Sequence, residues 1–362
     1  MSGLFVGLMS GTSLDGIDAV LLDCTAAPRL IHHVHQAFAP ALREALLELH
    51  NPGNNELHRA ARAGSELALA YAAAVRNLLQ NGGIPGSGIT AIGCHGQTVR
   101  HQPQAGYTVQ LVNAALLAEL TGIRVVCDFR SRDIAAGGEG APLVPAFHQG
   151  VFASPSQSRA VVNIGGIANI TCLPRSGAVT GFDCGPGNAL MDGWIGRHRA
   201  EAYDRGGAWG ARGKVLPELA ARMLAHEFFK RRPPKSTGRE TFNLAWVDGL
   251  LAGDEAAADV QATLCEVTAA GIAGALQQYC PQALQIFLCG GGARNDLLRA
   301  RLAALLPGRV IGTTDSLGIA AESVEAAAFA WLAQRTLHNL PGNLPAVTGA
   351  NGPRVLGAIY PA

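Results

Sequence analysis

Three glycine-rich turns, Gly11–Gly16, Gly165–Gly166 and Gly290–Gly292, follow or join short apolar runs. Each would present backbone N–H groups where a phosphate could approach closely. One glycine turn between strands is usually plain turn chemistry; three of them make a more specific pattern. The first also carries Thr12 and Ser13, whose hydroxyls could donate to phosphate oxygens, and Asp15 and Asp18, which could hold Mg2+ directly or through water. Asp183 ends an apolar run and enters Cys184-Gly185-Pro186-Gly187-Asn188. A carboxylate there is placed like a general base reaching into a cleft, with an Asx-turn aspartate as the structural alternative. His95 sits in a glycine-flanked loop, in either a catalytic or a structural role. Arg130 and Arg132 could grip a carboxylate bidentately or pair with Asp133. Glu325 opens a helical pattern, where the helix dipole alone favours an acid.

The common alternatives are absent. No lysine follows a glycine turn, so there is no Walker P-loop, and the later glycine of a dinucleotide fingerprint is missing from Gly290–Asp296. His226–Lys230 lacks the second histidine of a zinc-protease helix, and no G-x-S-x-G elbow occurs. The only lysines are Lys214, Lys230 and Lys235. Eight scattered cysteines without a C-x-x-C pair suggest reduced thiols in a cytoplasm, and the first residues do not read as a secretory signal.

The elements that must position these residues are short. Leu4–Met9 and Ala19–Asp23 read as an antiparallel hairpin, and residues 41–80 as two helices broken at Asn51-Pro52-Gly53. Strands follow at Ile89–Gly93 and Val125–Asp128, a helix at Asn113–Leu120, and a loop through FRSRDIAAGGEGAP. Ala160–Ile164, Gly165-Gly166 and Ile167–Leu173 repeat the opening hairpin, with a third strand ending at Asp183. That repeat is what two lobes of a duplicated α/β fold would produce. Helices are expected at Val215–Lys230, Ala256–Tyr279, Asn295–Leu306 and Glu322–Leu337, and a strand at Ile286–Cys289. With 362 residues, 48% of them apolar, the chain has enough core for two lobes, divided as 1–150 and 151–362, and its last strand could return to the first. Only 15% is charged, with a net charge of +1, which excludes a disordered tail and any global field favouring nucleic acid or membrane.

In order along the chain, GLMSGTSLDGIDAVLLD, CHGQTVRHQP, DFRSRDIAAGGEGAPLVPAFH, NIGGIANIT, GFDCGPGNALMD, LCGGGARND and VEAAAFAWLA resemble the successive signatures of the anhydro-N-acetylmuramic acid kinase family. The resemblance implies the actin, hexokinase and Hsp70 (ribonuclease H-like) fold: two related lobes, each a mixed sheet flanked by helices, with nucleotide and sugar in the cleft between them. It implies ATP contacts from Gly11, Thr12, Ser13, Leu14, Asp15, Gly16, Ile17 and Asp18, then from Asn163, Gly165, Gly166 and Asn169, with Gly290, Gly291, Gly292 and Asn295 near the nucleoside. Asp183 matches the catalytic aspartate, Glu325 a glutamate beside the attacking water, and His95 and Arg130 sugar contacts. Cys184 and Leu14 stand where the family commonly has threonine and methionine; neither change removes a charge.

The implied reaction opens 1,6-anhydro-N-acetylmuramic acid with water and phosphorylates O6 from ATP and Mg2+, a bacterial cytoplasmic step in peptidoglycan recycling. A homodimer is the expected assembly. A same-fold kinase for another sugar or small acid would keep the glycine turns without needing His95, Arg130 and Asp183 together. A chaperone-like ATP switch would need a further peptide-binding or filament-forming surface.

Overall fold

The computed structural model describes residues 3–11, 14–238 and 240–362. The chain forms two compact units, residues 1–151 with 323–362, and residues 152–322.

In the first unit, β1 (Leu4–Met9), β2 (Gly16–Asp23) and β3 (Arg29–Ala37) form an antiparallel meander, and β4 (Ala91–Cys94) runs parallel beside β1. A two-stranded hairpin, β5 (Gln97–Gln102) and β6 (Tyr107–Leu111), precedes β7 (Val125–Cys127), which lies parallel to β4. The central runs LFVGLM and AIGC are apolar throughout, as strands covered on both faces must be. The 27-residue helix Glu56–Gly82 lays Leu67, Tyr71 and Leu78 into the same core as Val6, Leu8 and Leu21, and ends on Gly83 in the left-handed conformation (φ 63°).

The second unit repeats this plan. β8 (Arg159–Ile164), β9 (Ile167–Leu173) and β10 (Thr180–Pro186) form an antiparallel meander, and β11 (Gln285–Cys289) and β12 (Val310–Thr313) extend it in parallel from β8. The orders β3-β2-β1-β4-β7 and β10-β9-β8-β11-β12 are therefore the same: a three-stranded meander and then two parallel strands on the side of its first strand. The duplication seen faintly in the sequence extends to five strands in each unit.

The return to the first unit is larger than a last strand. The helix Val324–Leu337 packs on β1, β2 and β4, and β13 (Ala358–Tyr360) pairs antiparallel with β7. Gly7 and Gly93 are register partners in β1 and β4, and a Cβ on either would collide with the carbonyl of Ala326 or Phe329 on this helix. Bare backbone lets helix and sheet touch at a distance that no side chain would permit.

Other differences are local. The loop after β7 contains the short helix Ser131–Ala135, a helix follows at Val144–Phe152, and the expected Val215–Lys230 helix is two, Pro217–Leu224 and Glu227–Lys230. Between those two, the ring Nδ1 of His226 accepts from the Phe228 N–H and restarts the turn. The expectation of uniformly reduced cysteines is corrected by a Cys172–Cys280 disulfide, Cα–Cα 5.8 Å, which joins β9 to the residue ending the helix Ala257–Tyr279. Among the described residues, no helix is long and apolar enough to cross a membrane.

Candidate functional site

In the second unit, Asp183 stands opposite Asn169 across β10 and β9, and the register slips between Asp183 and Gly185. Gly185 has φ 142°, and a Cβ there would strike the Phe229 ring, so glycine is required at this bulge. The half-buried Asp183 carboxylate is held from one side: its Oδ2 accepts from the Ser236 hydroxyl at 3.0 Å and from the Thr237 N–H at 3.0 Å. The Asp183 N–H donates to the Lys235 carbonyl at 3.1 Å. Burial raises the carboxyl's pKa, partly offset by the Thr237 N–H, the Ser236 hydroxyl and the Lys235 ammonium, while Glu240 pushes it further up.

The second and third glycine turns meet in this unit. The carbonyls of Gly165 and Gly166 accept from the N–H groups of Gly187, Asn188 and Ala189, and the Asn188 Nδ2 donates to the Ile164 carbonyl at 3.0 Å. A Cβ on Gly290 (φ 77°) would strike the Asn163 Oδ1 and the Ile164 carbonyl, and one on Gly292 the Ile164 side chain. Asn163 and Asn169 face one another across the β8–β9 pair. Asn163, Gly165, Gly166, Asn169, Gly290, Gly291 and Gly292 therefore gather at one end of β8 and β11, as does Asn188, which the sequence reading left out. Asn295 caps the helix Asp296–Leu305, its side-chain oxygen accepting from the Leu298 N–H at 3.0 Å.

In the first unit, Thr12 and Ser13 lie outside the described residues. The rest of that loop is pinned from several directions. Gly11 O accepts from the Gln97 side chain at 3.1 Å and from the Leu14 N–H at 3.2 Å, Leu14 O from Arg43 at 3.1 Å, and the Ser10 and Tyr71 hydroxyls are 2.8 Å apart. Leu14 holds φ 55°, a costly conformation for an L-residue, with its side chain in the core. Leu14 and Ile17 are both buried, so it is their backbone groups that a ligand at this loop would meet. Asp18 is engaged through Oδ1, which lies 3.0 Å from both His33 Nε2 and His35 Nδ1 on β3. Asp15 is exposed.

The same unit brings three separated residues into one cluster. The Arg130 Nη2 is 2.9 Å and its Nε 3.3 Å from His95 Nε2, while Nη1 donates to the Gly140 carbonyl at 2.8 Å. Burial, then Arg130, lowers the His95 pKa to about 3, so the imidazole is neutral and Nε2 accepts. The His95 ring packs 4.6 Å from Phe329. Burial also lowers Arg130 to about 10, opposed by Glu325 and then Asp133, and the guanidinium stays charged at neutral pH. Asp133 hydrogen-bonds instead to Gly140 N–H, Asn343 and Thr348 at 2.8, 2.6 and 2.8 Å, so the loop is tied to the returning segment. Arg132 is exposed.

The sequence reading missed Gln97, Tyr71 and Arg43 behind the first loop, and Lys235, Ser236 and Thr237 around Asp183. The hydroxyl-rich PPKSTGRE stretch, holding one of only three lysines, was the available signal for the last group.

The sequence profile of the family described as "Anhydro-N-acetylmuramic acid kinase" matches residues 3–362. The protein so named from Nitrosospira multiformis is 59% identical over 361 residues, 99% of each chain, and that from Nitrosomonas europaea 56% identical with the same coverage. Component A of the (R)-2-hydroxyglutaryl-CoA dehydratase from Acidaminococcus fermentans superposes with TM-score 0.50 at 14% identity, covering 91% of this chain and 96% of that one, a likeness of fold alone. With seven motifs in order, the duplicated five-strand plan and this full-length similarity, the chain belongs to the anhydro-N-acetylmuramic acid kinase family of phosphotransferases.

Proposed function

We propose that this kinase uses ATP and water to convert 1,6-anhydro-N-acetylmuramic acid into N-acetylmuramic acid 6-phosphate and ADP, in cytoplasmic recycling of bacterial peptidoglycan. The observation that carries the reading is the Asp183 carboxylate, anchored through Oδ2 while Oδ1 accepts no hydrogen bond among the described residues. Oδ1 takes a proton from water as the water oxygen bonds to the anomeric carbon. The bond from that carbon to O6 breaks, O6 bonds to the γ-phosphorus, and the bond from that phosphorus to the β-phosphate bridge breaks to release ADP. Because O6 leaves onto phosphorus, no general acid is needed, unlike an inverting glycosidase with its paired carboxyls. A base whose pKa burial has raised is better matched to a neutral working pH than an ordinary aspartate.

His95 and Arg130 would hold the sugar, with Glu325 beside the water; a charged, desolvated Arg130 suits the lactyl carboxylate that distinguishes muramic acid from ordinary hexoses. The segments Gly11–Asp18 and Asn163–Asn169 would receive phosphates, with Gly290–Gly292 and Asn295 towards the nucleoside. Asp15, and Asp18 through Oδ2, are the carboxylates that fit Mg2+ held through water. A magnesium ion brought by ATP would neutralise phosphoryl charge there.

The test is an ATP-coupled product assay with the anhydro sugar beside a panel of hexoses. Wild type should form the 6-phosphate from the anhydro sugar alone, and Asp183→Asn should lose at least about a hundred-fold in kcat, the scale of a general base. Turnover of a hexose in place of the anhydro sugar would refute the substrate; an active Asp183→Asn would refute the base.

A further inference from the structure

We infer that Ser236 is a positioning residue for the reaction: with the Thr237 N–H it fixes Oδ2 of Asp183, so that Oδ1 is the oxygen presented to water. The inference rests on Asp183 being the base.

The two donors come from adjacent residues of one loop, and both end on the same oxygen at 3.0 Å. One hydrogen bond leaves a carboxylate free to pivot; a second donor on the same oxygen restricts that rotation. The donors also divide the basicity of the group. Oδ2 has lone-pair density drawn into two hydrogen bonds, and Oδ1 has none drawn off among the described residues, so the proton goes to Oδ1.

The segment is itself anchored. The Lys235 carbonyl receives the Asp183 N–H at 3.1 Å, and the Lys235 ammonium donates to the Phe228 carbonyl at 3.3 Å while lying 4.6 Å from the centre of the Phe228 ring. Phe228 is almost wholly buried, so the peptide that carries Ser236 and Thr237 is moored to the core. The bulge at Cys184 supplies the complementary half, turning the chain immediately after Asp183 while that residue keeps its pairing with Asn169. Ser236 itself is exposed and packs no core, so its hydroxyl contributes little to folding, and it donates to Asp183. The Thr237 hydroxyl is buried nearby with no hydrogen-bond partner among the described residues, a donor left over for a ligand or water.

The experiment is a kcat and kcat/KM profile against pH for the full chain as wild type, Ser236→Ala, Ser236→Thr and Asp183→Asn, with ATP and the anhydro sugar. Ser236→Ala should lower kcat about ten-fold, a fraction of what the whole base contributes, with KM for both substrates within about two-fold. Its acid limb should move to higher pH, because a donor to the charged carboxylate has been lost. Ser236→Thr keeps the hydroxyl and should recover most of the rate and the original limb. A Ser236→Ala enzyme with wild-type kcat and limb would overturn the positioning role, as would equal impairment of the alanine and threonine variants with the limb unmoved. If Asp183→Asn is inactive in either case, the base assignment survives; if it is active, that assignment falls first and takes the inference with it.

Discussion

Single residues in this protein are tuned by what surrounds them more than by their own chemistry. His95 and His148 are both buried in the first unit and held neutral, burial bringing each pKa down to about 3, with Arg130 adding to the effect at His95. An unfolded chain would protonate both near pH 6.5, so below that pH the unfolded state binds more protons than the folded one. Stability is therefore full above about pH 6.5 and falls as pH drops, by up to about 1.4 kcal/mol per pH unit for each histidine, levelling as the folded values near 3 are reached. Urea midpoints at pH 7.5, 6.0 and 5.0 should decline in that order, and His148→Gln should show a shallower decline. A midpoint independent of pH would contradict the neutral, buried state of both rings.

At the scale of elements, the arrangement depends on backbone meeting backbone. The helix Val324–Leu337 carries Glu325 in its first turn and rests on Gly7 and Gly93. Gly93→Ala would drive a methyl into the Phe329 carbonyl, and rigid neighbours on both sides leave no easy relief. A loss of about 2–3 kcal/mol is expected, at the upper end of ordinary overpacking. Because Phe329 also backs the His95 ring, kcat/KM for the sugar should fall more than KM for ATP rises. Thermal unfolding beside steady-state kinetics checks both; an unaltered midpoint would mean that helix and sheet can separate without cost.

For the whole molecule, the two units share one strand order but not one covalent framework. The Cys172–Cys280 link closes a 108-residue separation inside the second unit. The other six cysteines are buried, and burial holds the thiols of Cys24, Cys127 and Cys265 up at about 12. Protein purified without reductant and denatured should show six titratable thiols, rising to eight on reduction. A loop of this length makes the link worth on the order of 5 kcal/mol in the chain-entropy picture, so Cys172→Ser should lower the unfolding midpoint. Eight thiols without reduction would show the pair to be open in solution.

Local pattern carried much of the architecture. Continuous apolar runs specified β1, β4, β8 and β11, and glycine turns marked the hairpins at both ends of the duplication, because strand and turn preferences act over a few residues. β3 escaped notice because its RLIHHVHQA run fills an edge strand with histidines, and the β5–β6 hairpin because its polar residues show no clean alternation. The residues of the candidate site were legible as types: a carboxylate at a strand end, a histidine between glycines, an arginine in a loop. Their partners were not. Arg130 meets His95 across 35 residues, Ser236 meets Asp183 across 53, and Asn343 reaches Asp133 across 210. Sequence alone determined the family, the repeated plan and the chemistry on offer, because those reside in residue identity and short-range order. Tertiary structure alone decided which oxygen of Asp183 is tethered, which histidine stays neutral and where residues 323–362 return, because hydrogen bonding and desolvation depend on neighbours that chain order does not name.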